Sequence, residues 1–263
     1  MRDYEQLRRT DEGVVATVAL ARPDSHNALN AALISELTDC FESLSEDENV
    51  RGIVLTGEGR SFCAGADIRY MRDTAGFTYE ENLQDARRLA TMFRAVHECP
   101  KPVVARVRGA AIGGGVGLVA ASDVVVAEAG ATFAFSEVRL GIAPATIAPF
   151  VVSKIGYSHA RALMLSGERF DAELAREMGL VHEVAPEDEL DTVVDRKVSQ
   201  LLKGGPDALA AVKQLLRQIE AVEPMEATGL MATLTSDLRV SEEGQEGLAA
   251  FLEKREPFWR KEP

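Results

Sequence analysis

The sequence is short of positive charge, of cysteine and of long apolar runs, and each shortage closes a class of function. Its 263 residues carry 29 Lys and Arg against 42 Asp and Glu, a formal charge of −13. A nucleic acid or an anionic membrane needs a basic footprint, so neither is an expected partner. An anionic small ligand stays open, because a few local cations suffice to hold one. The cysteines Cys40, Cys63 and Cys99 are widely spaced and form no CxxC pair. They read as reduced thiols rather than as a disulfide or zinc site. His26, His97, His159 and His182 show no HExxH spacing, so no metal is expected. The longest uncharged run, between Arg108 and Asp123, is too short and too glycine-rich to span a membrane. The opening MRDYEQLRRT has no apolar leader, and a cytoplasmic protein is expected.

What is present suits a globular core. The spacing predicts strands over Tyr4–Leu7 and Val14–Leu20, parted by the turn-like Asp11-Glu12-Gly13. Asn27 reads as the N-cap of a helix carrying Leu29, Leu33, Leu37, Phe41 and Leu44 at helical period, ending near Ser45. Gly52–Thr56 reads as a strand. Residues 68–83 read as a short helix and a mobile loop. Leu89, Met92, Phe93 and Val96 mark the next helix, closed by Pro100 and Pro102. Strands are expected at Val103–Val107, Asp123–Glu128 and Thr132–Ser136. Strands alternating with helices predict an α/β fold with crossover connections. From about Ser158 helical patterns take over, with one stripe at Leu209, Val212, Leu215, Leu216 and Ile219 and another at Leu248, Phe251 and Leu252. We therefore expect an α/β core over 1–200 and a helical region over 201–263, of a kind that docks on a neighbouring subunit.

Two glycine-centred segments carry the chemistry: Ser61–Asp67 (SFCAGAD) and Gly109–Asp123 (GAAIGGGVGLVAASD). Each follows a strand pattern and opens into a helical one. Such turns expose backbone N–H groups, and the first N–H groups of a helix lack intrahelical partners and carry the positive end of its dipole. Two aimed at one point make an oxyanion hole for a carbonyl oxygen gaining charge. The N–H of Ala66 is a plausible donor. A tight turn packed with glycine is the competing reading of Gly113–Gly115. A P-loop would need Gly-Lys-Ser/Thr after the last glycine, and Val116-Gly117 stands there instead. Asp67 reads as a cap or brace. Cys63 has no histidine in an evident supporting position and reads as a small buried residue. Glu137 is the acid–base candidate. In an extended chain it shares a face with Phe133 and Phe135, which would desolvate its carboxyl group and raise its pKa.

With these residues in place, the sequence resembles the crotonase (enoyl-CoA hydratase/isomerase) superfamily over nearly its whole length. The resemblance rests on RPDSHNALN (22–30), SFCAGAD (61–67), KPVVARVRGAAIGGGVGL (101–118), FAFSEVRLGIAP (133–144) and FLEKREPFW (251–259), in family order. It implies a spiral of ββα units over 1–200, a helical trimerisation region over 201–263, and a homotrimer or hexamer. It implies an acyl-CoA thioester as ligand, with coenzyme A part of the substrate and no separate cofactor. By motif position Ala66 and Gly114 would supply the oxyanion-hole N–H groups, and Glu137 matches a family catalytic glutamate. Ala64, Asp67, Ile68, Gly113 and Gly117 would line the thioester and CoA path. Lys254 and Phe258 fall where the C-terminal segment touches CoA, often that of a neighbouring subunit.

One position departs from the two-glutamate hydratases. Their second glutamate falls where this chain has Gly117. That leaves a one-carboxylate hydratase, a Δ3,Δ2-enoyl-CoA isomerase, a substitute carboxylate from the Asp73–Asp85 region, or a non-catalytic acyl-CoA-binding homologue. RPDxHNA, AGFTYEEN, GGGVGLVAASD and SEVRLGIAPATIAPFVV resemble the methylglutaconyl-CoA/isohexenylglutaconyl-CoA hydratase branch. Its substrates bear a distal carboxylate, for which Arg69 or Arg72 is a candidate partner.

Overall fold

The computed structural model describes residues 3–219 and 227–260. β1 (Leu7–Glu12) and β2 (Val15–Leu20) form an antiparallel hairpin through Gly13, whose φ of +57° suits a residue without a side chain. β2 then pairs in parallel with β3 (Gly52–Gly57), and β4 (Val103–Val107), β6 (Val124–Glu128) and β9 (Glu183–Ala185) extend the sheet in the order β1-β2-β3-β4-β6-β9. A smaller sheet joins β5 (Ala110–Ile112), β7 (Thr132–Ala134) and β8 (Arg169–Asp171) in the order β5-β7-β8. α1 (Ala31–Glu46) and α3 (Tyr79–Glu98) bury Leu33, Leu37, Phe41, Met92 and Phe93 against the sheets, with α2 (Ile68–Thr74) between them in sequence. α4 (Gly114–Ala121) is almost wholly buried. α5 (Ala148–Ser166), α6 (Ala172–Glu177) and α7 (Leu190–Leu201) complete the layers. α8 (Pro206–Ile219), α9 (Thr228–Val240) and α10 (Glu242–Glu253) follow. Among the described residues no helix is long and apolar enough to cross a membrane.

Several expectations are corrected. The first strand begins at Leu7, not Tyr4, because the Glu36 carboxylate of α1 accepts from the N–H groups of Glu5 and Gln6 and takes them out of the ladder. Asn30, not Asn27, caps α1 by accepting from Leu33 N–H. Asn27 sits at φ +55° and is fully buried, its amide donating to the carbonyls of Glu58 and Ser61 and accepting from Arg22 N–H. The segment read as a mobile loop is mostly α3, opened by a capping box between Thr78 and Glu81. From Ser158 onward helices dominate as expected, with two three-residue strands, β8 and β9, among them.

Candidate active site

The five parallel strands β2, β3, β4, β6 and β9 point their C-terminal ends one way, and both glycine segments emerge there. Such ends are where open α/β sheets hold ligands. The segments are tied together by a single parallel bridge between Cys63 and Ala111, with Cys63 N–H donating to Ala110 and Ile112 N–H to Cys63. Their contact requires glycine. A Cβ on Gly65 (φ +89°) would fall 2.9 Å from the Ile112 carbonyl oxygen, and one on Gly115 would strike the Cys63 carbonyl.

Two amides are left over. Leu29 N–H donates to Gly65 and Asp67 N–H donates to Leu29, so the N–H between them, of Ala66, has no acceptor among the described residues. Gly113 N–H is used by Ala134, at 2.8 Å, while Gly114 N–H, at the first position of α4, has none. The positive end of the helix stands behind it.

Glu137 joins them. The chain leaves β7 at Ala134 and turns through a 3₁₀ segment, Ser136–Leu140. Glu137 is therefore not on a strand face with Phe133 and Phe135, as the extended reading had it. Those rings instead pack on Phe170 beneath the turn, at 5.6 and 5.8 Å. The carboxyl group lies against Gly113, where a Cβ (at φ +51°) would come 2.8 Å from Glu137 Oε1. Glu137 Oε2 is buried without a hydrogen-bond partner. Burial raises the Glu137 pKa above the ordinary carboxylate range, against the pull of its own backbone N–H. A base raised in this way loses activity earlier as pH falls. The acid limb of the kcat/KM–pH profile should therefore lie above the usual glutamate range, and a limb at or below it would remove Glu137 as the essential base.

The support comes from Asp67, which is the cap and brace expected of it, and from Arg22, whose role was not legible beforehand. Asp67 caps α2 through Arg69 and Tyr70 N–H and pairs with Arg22 at 2.7 Å. Burial would raise its pKa, but Arg22 and the two amides outweigh burial and hold it low. Arg22 also donates to the Ala28 carbonyl, pinning the Asn27–Leu29 turn on which Ala66 hangs. Arg22 opens the first motif, and its pairing with an aspartate 45 residues on leaves no local signal. Cys63 is fully buried, and burial pushes its thiol up to about 12, which removes it as a nucleophile.

Ala64 is half-buried and donates to the His26 carbonyl, while Ile68 is 76% exposed beside the Ala66 amide. Gly117 faces away from open space. A Cβ there would strike Ile147 and come within 2.7 Å of Phe93. Lys254 caps α10 at φ +55° and Phe258 is exposed beyond it. Neighbouring Trp259 gives its carbonyl to Arg51, which precedes β3. Within one chain the C-terminal segment thus lies at the N-terminal end of the sheet, opposite Glu137. Asp85 of α3 accepts from Tyr70 OH, so this carboxylate already has a partner.

These features bring two unbonded main-chain amides together with one desolvated carboxyl group, an arrangement whose geometry suits an oxyanion. The chain belongs to the enoyl-CoA hydratase/isomerase family, whose model matches residues 10–262, and this family acts on acyl-CoA thioesters. The fold is the crotonase fold. An enoyl-CoA hydratase from Shewanella pealeana superposes with a TM-score of 0.94 at 39% identity, covering 97% of this chain and 96% of that one. Pseudomonas aeruginosa AtuE does so with a TM-score of 0.94 at 37% identity, covering 98% and 100%. The 2,3-dehydroadipyl-CoA hydratase of Escherichia coli is 35% identical over 94% of this chain and 95% of its own length.

Proposed function

We propose that this chain is an enoyl-CoA hydratase that adds water across the 2,3 double bond of a 2-enoyl-CoA. The observation that carries the reading is Glu137: a desolvated carboxyl group with an unpartnered oxygen, set against Gly113 beside the unbonded Gly114 amide. The thioester oxygen accepts from Ala66 and Gly114 N–H. Glu137 takes a proton from water as the oxygen bonds to C3, and the enolate held by the two amides then takes that proton back at C2. One water is consumed and Glu137 ends as it began. A second reading, proton transfer between C4 and C2 of a 3-enoyl-CoA, draws on the hydrocarbon filling at Gly117, where no second carboxylate can hold water.

For the substrate we favour a chain with a distal carboxylate. Arg69 and Arg72 are exposed on α2, a few residues past Ala66, and form no ion pair among the described residues. The E. coli relative is named for a dicarboxylic acyl-CoA. We further propose a homotrimer or hexamer in which a neighbour's Lys254 and Phe258 complete the CoA path. Val240, Phe251 and Leu252 are 75%, 81% and 77% exposed on α9 and α10, more apolar surface than a lone chain needs. A product assay over crotonyl-, 3-methylglutaconyl- and a 3-enoyl-CoA tests the reading. Formation of 3-hydroxyacyl products, fastest with 3-methylglutaconyl-CoA, is expected. Conversion of the 3-enoyl substrate to 2-enoyl product alone, with no hydration of the others, would establish the isomerase instead. Binding without turnover across the panel would mark a non-catalytic homologue.

A further inference from the structure

A cavity of 590 Å³ opens beneath α8, far from the oxyanion hole. Pro102 and Asp123, on its wall, immediately precede β4 and β6, whereas the catalytic segments follow the other ends of those strands. The five residues of β4 put roughly 16 Å between the two places. The volume falls in the range of small-molecule sites.

Its lining has two characters. Leu201, Leu209, Val212 and Leu216 supply an apolar wall, in which Val212 and Leu216 remain 50% and 58% exposed. Against it stand, among the described residues, three cations, Lys154, Lys213 and Arg217, with one carboxylate, Asp123. Lys213 is matched to Asp123 at 2.6 Å. Lys154 donates only to the Asp123 carbonyl, at 3.0 Å. Arg217 has no ion pair or hydrogen bond among the described residues. His97 adds no further positive charge, since burial first and then Lys213 and Arg217 depress its pKa. Among the described residues a surplus of positive charge is thus concentrated in one apolar cavity of a protein whose formal charge is −13. Burial pushes Lys154 down to about 8 despite Asp123, with Lys213 adding to the push. An anion beside it would relieve that destabilisation.

We infer that this cavity binds a free aliphatic monocarboxylate, its head on Arg217 and Lys154 and its tail along the leucines of α7 and α8. A planar guanidinium matches a carboxylate with two parallel hydrogen bonds, and the apolar wall rewards a tail that a bare inorganic anion lacks. Isothermal titration calorimetry of the full-length protein with decanoate tests this. Saturable binding is expected. Arg217→Ala should weaken it at least ~10-fold, as should replacing decanoate by decanol, because each removes one side of a charge-assisted contact. Saturating coenzyme A should not displace it. Arg217→Gln gives the same reading if the alanine variant fails to fold. No binding, equal affinity for decanol, unchanged affinity in the Arg217 variant, or displacement by coenzyme A would each overturn the assignment.

Discussion

Replacing Glu137 by Gln should lower kcat for hydration by roughly 10²–10⁴-fold while KM changes little, since general acid–base catalysis by one positioned group contributes on that order. The amides of Ala66 and Gly114 are untouched by the change, so on the proposed reading the thioester keeps its two donors. What is lost is the group proposed to take the proton from water and return it at C2. The same variant should melt at a higher temperature than the parent at neutral pH. In the folded protein the carboxyl pKa is raised by burial, so ionisation destabilises the fold. That destabilisation is absent below the ordinary carboxylate pKa, grows as pH rises toward the folded value, and is complete above it. The difference in melting temperature should therefore close in acid. Steady-state rates with crotonyl-CoA and melts at several pH values measure both effects. A variant that hydrates at the parental rate would remove Glu137 from the chemistry.

Gly117→Glu, which installs the second carboxylate of two-glutamate hydratases, should cost more than about 4 kcal/mol of stability and yield no faster enzyme. The first carbon of the new side chain already collides with Ile147, and it comes within 2.7 Å of Phe93. Both neighbours are buried, at 1% and 0% exposure. The carboxylate would then have to enter hydrocarbon without a partner, where burial of a charge is severely unfavourable. Denaturant unfolding of the variant measures the loss. A stable variant with raised hydratase activity would show that the site tolerates two carboxylates and that the packing around Gly117 is not decisive.

Much of this site was legible because its chemistry rests on residues with few substitutes. Glycines at 65 and 115 are demanded by backbone contact and Gly113 by the Glu137 carboxyl group, and a glutamate after ATFAFS stands out against apolar neighbours. The misreadings have physical causes. Asn27 looks like a cap because asparagine suits both a cap and a left-handed turn, and only the distant carbonyls of Glu58 and Ser61 decide between them. The first half of α3 is exposed and carries no apolar period, so periodicity could not find it, although Thr78 and Glu81 could. β1 lies at a sheet edge and bears Arg8, Arg9, Asp11 and Glu12, charges that discourage further pairing and hide the strand pattern. The cavity beneath α8 joins residues from four separate stretches of chain, which no local reading assembles.

The bridge between Leu29 and Ala66 has a consequence for how such a site is inherited. One of the two donors proposed for it is held in place by the register of neighbouring main-chain bonds, and the side chain at that position is exposed to solvent. Selection acting on the donor therefore does not act on the letter written at position 66. It acts on Arg22, Asn27 and Asp67, which fix the register from outside. A lineage could exchange the alanine freely and keep its chemistry, yet lose it through a change at Arg22, a residue that need never meet the substrate.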